Sequence, residues 1–132
     1  MSAITVFCDF DGPIADVSER YYATYRQGLD WAKTAAQAQG NDLAVRYLSK
    51  AQFWTFKQNR VPDRQIAHWS GLEGQQIDGF LNQVSRIVNH GSLLDYDQVQ
   101  PQAREGLDIL RQCGVRVVLV TLRPPNQVLR FL

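Results

Sequence analysis

The sequence carries almost no charge bias: 14 Lys and Arg stand against 13 Asp and Glu, a formal net charge of +1. So even a balance gives no electrostatic footprint for a polyanion or an anionic surface, and neither nucleic acid nor membrane is expected as a partner. No apolar run approaches the ~18 residues a membrane-spanning helix requires. The opening Met-Ser-Ala-Ile-Thr-Val-Phe lacks a basic leader ahead of an apolar stretch, so no secretory signal and a cytoplasmic location are expected. Cysteine is scarce, and Cys8 and Cys113 form no Cys-x-x-Cys pattern; both are expected to be packing thiols. His68 and His90 lie far apart with no second ligand at metal spacing, which leaves them structural or surface roles.

What is present is enough for a core: 45% of the 132 residues are hydrophobic. Ile4-Thr5-Val6-Phe7-Cys8 is a short, nearly continuous apolar run that reads as a strand buried on both faces, the signature of a parallel sheet. Asp9-Phe10-Asp11-Gly12-Pro13 ends it with two acids and two structure breakers. Helical spacing follows, with Val17, Tyr21, Tyr25 and Leu29 along one face. Leu43 to Arg60 reads as one broken helix or two short ones, and Pro62 opens another. Ile77, Phe80, Leu81, Val84, Ile87 and Val88 form an amphipathic stripe, with Gly91 as its stop. No strand signal occurs between residue 14 and about residue 95. Pro101 then opens a helix with Ala103, Leu107, Leu110 and Cys113 on one face, and Val115 to Val120 is the clearest strand in the chain.

The fold class this predicts is α/β: a partial Rossmann-like parallel sheet, residues 1–13 and 96–132, with an inserted all-helical domain, residues 14–95. Two strands joined through a helix favour a parallel pair with a right-handed crossover. Ligands of such sheets sit off the carboxyl ends of the strands, so Asp9, Asp11 and Thr121 are expected at one rim. Two carboxylates one residue apart repel unless a cation lies between them, and Mg²⁺, which takes hard oxygen ligands and substrate phosphate, suits the pair. Gly12 permits a sharp turn whose N–H groups can face an anion, and Thr121 adds a hydroxyl. Together these groups suit phosphoryl transfer, in which positioning and charge stabilisation supply most of the catalysis.

Val6-Phe7-Cys8-Asp9-Phe10-Asp11-Gly12 resembles the first signature of the haloacid dehalogenase (HAD) superfamily, and Val118-Leu119-Val120-Thr121 resembles its second. The helical stretch between them is similar to the helical cap of that family, and Asp16 matches an acid in the linker into the cap. The resemblance implies a nucleophilic Asp9 that forms an aspartyl-phosphate and an Asp11 that protonates the leaving oxygen and then activates water. It implies Mg²⁺ on the Asp9 carboxylate and the Asp11 carbonyl, and phosphate contacts from Gly12, Thr121 and Leu122. An acid at Asp11 favours phosphate esters over haloacids. The implied function is hydrolysis of a small phosphorylated metabolite. The alternatives are a non-catalytic binding module and a phosphomutase-like phosphotransferase.

Pro13 departs from the family pattern, where Thr or Val is usual. The family's third and fourth motifs supply a Lys and further acids, whereas here no Lys follows Lys57 and no Asp or Glu follows Asp108. The chain is therefore expected to be a truncated piece with open sheet edges and a tendency to self-associate. Arg123 is close enough to Thr121 to stand in for the missing cation, although an ordinary solvated Arg is the favoured reading. Trp31, Trp54, Trp69, Tyr21, Tyr22 and Tyr25 are expected mostly in the core of the helical bundle, and Lys57, Arg60 and Arg64 on a solvated face.

Overall fold

A computed structural model describes residues 3–131. The chain is mixed α/β, with β1 (Thr5–Asp9), β2 (Ala15–Asp16), α1 (Ser18–Ala38), α2 (Lys50–Gln58), α3 (Asp63–Trp69), α4 (Gln75–Ile87), α5 (Gly91–Leu94), β3 (Gln98–Val99), α6 (Ala103–Gln112), β4 (Arg116–Val120) and α7 (Pro125–Phe131). It divides into two compact units, Met1–Val17 with Asp97–Leu132, and Ser18–Tyr96. Residues 1, 2 and 132, at the ends of the expected sheet domain, lie outside the described residues.

In the sheet unit, β1 and β4 pair in parallel from Thr5 opposite Arg116 to Asp9 opposite Val120. A parallel pair needs a crossover connection, and α6 packs on β4 as the last part of it. Ala15 and Asp16 pair antiparallel with Val99 and Gln98, so residues 14–17, assigned above to the helical stretch, group with the sheet. A two-residue strand has no period to detect, which is why no strand signal was visible there.

β1 is not buried on both faces. Its residues alternate exposed and half-buried, and Phe7 is 70% exposed. The described sheet has only two strands, so each of them is an edge. Cys8 is half-buried and Cys113 exposed, so the packing role expected for Cys113 does not hold: it caps α6 at an exposed turn.

The helical unit is built around α1. Tyr25 and Leu29, four residues apart, point into a core shared with Phe53, Ile66, Leu72 and Phe80. The Tyr25 and Phe53 rings stack with centroids 4.7 Å apart. Gly28 lets α1 approach α4 closely: a Cβ there would lie 2.6 Å from Val84 Cγ1 and 2.7 Å from Phe80 Cε2. Residues 43–49, expected as helix, carry no regular secondary structure. Tertiary bonds claim their backbone instead, with Arg46 N donating to Ser70 O (2.9 Å) and Leu48 N to Tyr25 Oη (3.1 Å). The helix starts only where Ser49 and Gln52 form a reciprocal capping box. Gly91 is not a stop: α4 ends at Ile87, with Val88 as its cap, and Gly91 begins α5. Trp31 and Trp69 are more exposed than core residues would be. Lys57 and Arg64 form surface ion pairs with Asp63 and Asp78. Among the described residues no helix is long and apolar enough to cross a membrane.

Candidate active site

Every sequence-predicted site residue lies in the sheet unit. β1 ends at Asp9, and its partner across the parallel ladder is Val120, so Thr121 follows directly at the carboxyl end of the neighbouring strand. The apolar residues of β1 and β4 thus bring Asp9 and Thr121 to the same end of the sheet. Asp9 is exposed, and its Oδ1 accepts the Phe10 amide at 2.9 Å, which fixes the rotamer of the carboxylate.

The loop after Asp9 is a tight, internally bonded turn. Ile14 N and Ala15 N donate to Phe10 O, at 3.2 and 3.0 Å, and Gly12 N donates to Ala15 O at 2.9 Å. Gly12 has φ +100°, which a side chain would strain, although a Cβ would meet no atom. Gln100 ties the loop down from the return segment, its Nε2 donating to Gly12 O and its N to Ile14 O, both at 2.8 Å. This corrects the expectation of an anion cradle at Gly12: its N–H closes the turn. The backbone bridge between Asp11 and Ala15 is made through Phe10 O and Gly12 N.

Arg123 is the main surprise. It is not a solvated arginine, since only 7% of its side chain is exposed. Its Nη2 lies 2.7 Å from Asp11 Oδ1 and 2.6 Å from Asp97 Oδ2, and the guanidinium covers the Phe10 ring with Cζ 4.9 Å from the centroid. The Arg123 amide donates to Thr121 Oγ1 at 3.0 Å, joining the second predicted motif to this cluster. Burial alone would lower the basicity of Arg123, but its bonds to Asp97 and Asp11 outweigh that and hold its pKa above the ordinary value. Leu122, between them, has an exposed side chain. Asp16 is half-buried in β2 opposite Gln98.

Asp97 was missed by sequence reasoning. Its side chain is fully buried, and the only hint in the sequence is an acid placed just where the chain returns to the sheet. Removing Arg123 would break this buried pair, a change that costs about 3–5 kcal/mol in comparable cases.

Asp9, Asp11 and Asp97 lie in the same unit as Arg123, whose guanidinium pairs with Asp11 and Asp97. No group of three or more His, Cys, Asp or Glu side chains is arranged to hold a metal among the described residues. Mg²⁺ does not require one. It retains several waters and borrows one or two carboxylates plus substrate phosphate. The hard oxygens of the Asp9 carboxylate and the Asp11 carbonyl fit that habit, while the Asp11 carboxylate is occupied by Arg123.

The helical unit has its own cavity of about 240 Å³, lined by Tyr21, Tyr25, Phe53, Phe80 and Val84, with Lys57 at its edge bonded to Asp63 at 2.7 Å. It is mostly apolar and gathers no set of groups able to carry out the chemistry above.

No protein-family model and no curated protein matches the chain. Solved structures do. The chain superposes on a HAD-superfamily hydrolase, subfamily IA, variant 1, from Geobacter sulfurreducens PCA with a TM-score of 0.62 at 21% identity, covering 97% of this chain and 56% of that one. It is similar to a predicted phosphoglycolate phosphatase from Haemophilus somnus 129PT (TM-score 0.61, 16% identity, 97% and 56% covered). It is also similar to a Thermotoga maritima protein described as a β-phosphoglucomutase (TM-score 0.55, 16% identity, 98% and 54% covered). The chain therefore has the HAD fold and spans little more than half the length of the structures it matches.

Proposed function

We propose that this chain carries the nucleophile half of a Mg²⁺-dependent phosphohydrolase acting on a small phosphorylated metabolite in the cytoplasm. The observation that carries the reading is the junction of two strand ends: Asp9 and Asp11 follow β1, Thr121 follows β4, and the strands pair in parallel. Carboxyl ends of adjacent parallel strands are where α/β folds present ligands to reactive groups.

In this reading, Asp9 attacks the phosphorus through the carboxylate whose rotamer the Phe10 amide fixes. The ester P–O bond breaks as Asp11 gives its proton to the departing oxygen. Water then attacks the aspartyl-phosphate, Asp11 takes the water's proton, and phosphate leaves with the Asp9 carboxylate restored. The Thr121 hydroxyl contacts the phosphoryl oxygens. The Asp9 carboxylate and the Asp11 carbonyl would hold Mg²⁺, which when bound would supply positive charge against the phosphate.

The test is hydrolysis of 4-nitrophenyl phosphate with and without Mg²⁺, beside Asp9→Asn. Mg²⁺-dependent turnover that falls by at least about 1,000-fold in the variant supports the reading. Turnover no higher than the Asp9→Asn background contradicts it and leaves a non-catalytic phosphate- or metal-binding module. The likeness to the protein described as a β-phosphoglucomutase supports a second reading, phosphotransferase, in which the phosphoryl group passes to a sugar hydroxyl. Adding an alcohol acceptor and measuring its phosphorylation against released phosphate separates the two.

A further inference from the structure

Asp97 belongs to neither motif of the site, yet its buried carboxylate is bound to the same nitrogen of Arg123 that contacts Asp11. It stands immediately before β3, whose pairing with β2 sets the return segment beside the loop that carries Asp11. The guanidinium is confined on several sides at once: Asp97 at 2.6 Å, Asp11 at 2.7 Å, the Phe10 ring beneath it, and its own backbone bonded to Thr121. A planar guanidinium pinned in this way, donating to Asp97 Oδ2, keeps its charge at a fixed place within ion-pair distance of Asp11 Oδ1, which a flexible ammonium would not do. Of the two acids, Asp97 has no exposed side-chain surface, and Asp11 is 35% exposed. The buried acid is suited to hold the arginine and the accessible one to meet a substrate.

We propose that Asp97 and Arg123 are positioning residues that hold the Asp11 carboxyl group in the orientation from which it serves the leaving group. The inference rests on the phosphohydrolase reading above and deepens it. Asp97 anchors Arg123, Arg123 aims Asp11, and Asp11 alone exchanges a proton with the reactants. A buried ion pair is weak evidence of a contribution to stability, since its desolvation cost offsets its attraction. Two buried charged groups spent on orienting a third make sense where orientation is the product.

The experiment compares kcat/KM for the 132-residue chain on two esters. 4-Nitrophenyl phosphate has a leaving group that departs without a proton; glycerol 2-phosphate has one that needs it. Because kcat/KM reports steps through phosphorylation of Asp9, the comparison isolates proton donation by Asp11. Arg123→Gln is expected to lose about 100-fold on glycerol 2-phosphate and less than about threefold on the nitrophenyl ester. Asp97→Asn is expected to show the same selectivity with about a tenfold loss, and added guanidinium to restore part of the Arg123→Gln loss. Thermal melting checks that each variant folds; if Arg123→Gln does not, Arg123→Lys and Asp97→Asn carry the comparison. Equal losses on both esters overturn the positioning role and leave the phosphohydrolase reading standing. Absence of Mg²⁺-dependent turnover in the unmodified chain overturns that reading, and the role assigned to Arg123 and Asp97 with it.

Discussion

In the helical unit Leu29, Ile66 and Leu72 are sealed from water around the stacked Tyr25 and Phe53 rings, and the ion pairs Lys57–Asp63 and Arg64–Asp78 stay at the surface. The sheet unit buries a smaller apolar set, Phe10, Ile14, Ala15 and Val17, and each unit buries an arginine, Arg20 in the helical unit and Arg123 in the sheet unit. Ile4, Phe7, Ile109, Val120 and Leu129 are exposed, while Asp97 and Arg123 are buried. The first arrangement is what stability asks for, because burial of apolar surface is the dominant favourable term in folding. The open apolar surface of Phe7 and Val120 lies on strands that have one neighbour each, in a chain spanning little more than half the length of the structures it matches, and the buried charges carry a desolvation cost. The larger apolar core and the candidate site are in different units of the chain, so each can be perturbed separately.

The largest stability effect belongs to the helical core. Leu29→Ala removes a fully buried side chain and should cost about 2–5 kcal/mol in a urea unfolding titration. Under conditions where the variant remains folded, phosphate-ester turnover should be unchanged; a loss of turnover there would break the separation between the units. Gly28→Ala sharpens the same point with a smaller change. Alanine gains about 1 kcal/mol of helix propensity over glycine, but its Cβ would overlap Val84 and the buried Phe80 ring. Overpacking of that kind costs about 1–3 kcal/mol, so a net destabilisation of up to about 2 kcal/mol is expected.

The smallest effect depends on pH. The Tyr47 hydroxyl donates to Asp30, and that bond, helped by burial and the Asp30 charge, raises the phenol above its ordinary 10.0. A folded-state value above the unfolded one stabilises the chain fully below the unfolded pKa, and the contribution is lost as pH rises through the folded value. Tyr47→Phe should therefore lower stability at neutral pH and flatten its decline above about pH 10 in denaturation curves. An unaltered alkaline slope would remove Tyr47 from the account.

The sequence made the framework of the sheet unit legible because its strands are short apolar runs that each end in a functional group. Val6-Phe7-Cys8 before Asp9, and Val118-Leu119-Val120 before Thr121, announce both the parallel pair and the rim they share. What lay beyond reach depends on contacts between residues distant in the chain. Ala15–Asp16 and Gln98–Val99 are too short to show a period, yet their pairing sets Asp97 beside the Asp11 loop. Arg123 looks solvated in sequence because nothing local predicts an acid 26 residues upstream as its partner. Leu43 to Arg60 reads as one broken helix or two short ones, but bonds from Arg46 N to Ser70 O and from Leu48 N to Tyr25 Oη hold residues 43–49 in another form. The exposure of Phe7 could not be foreseen from an apolar run, since period alone does not say how many strands flank it.

The central claim is that Asp9 becomes phosphorylated. The direct measurement is to mix the chain with Mg²⁺ and 4-nitrophenyl phosphate, quench in acid, reduce with borohydride and analyse the peptides by mass spectrometry. Borohydride reduces an aspartyl-phosphate to homoserine. The account predicts homoserine at position 9, dependent on Mg²⁺ and on the phosphate ester, and none at Asp11, Asp16 or Asp97. An unreduced Asp9 in a chain that nonetheless hydrolyses the ester would contradict it, and would mean that water attacks the substrate directly.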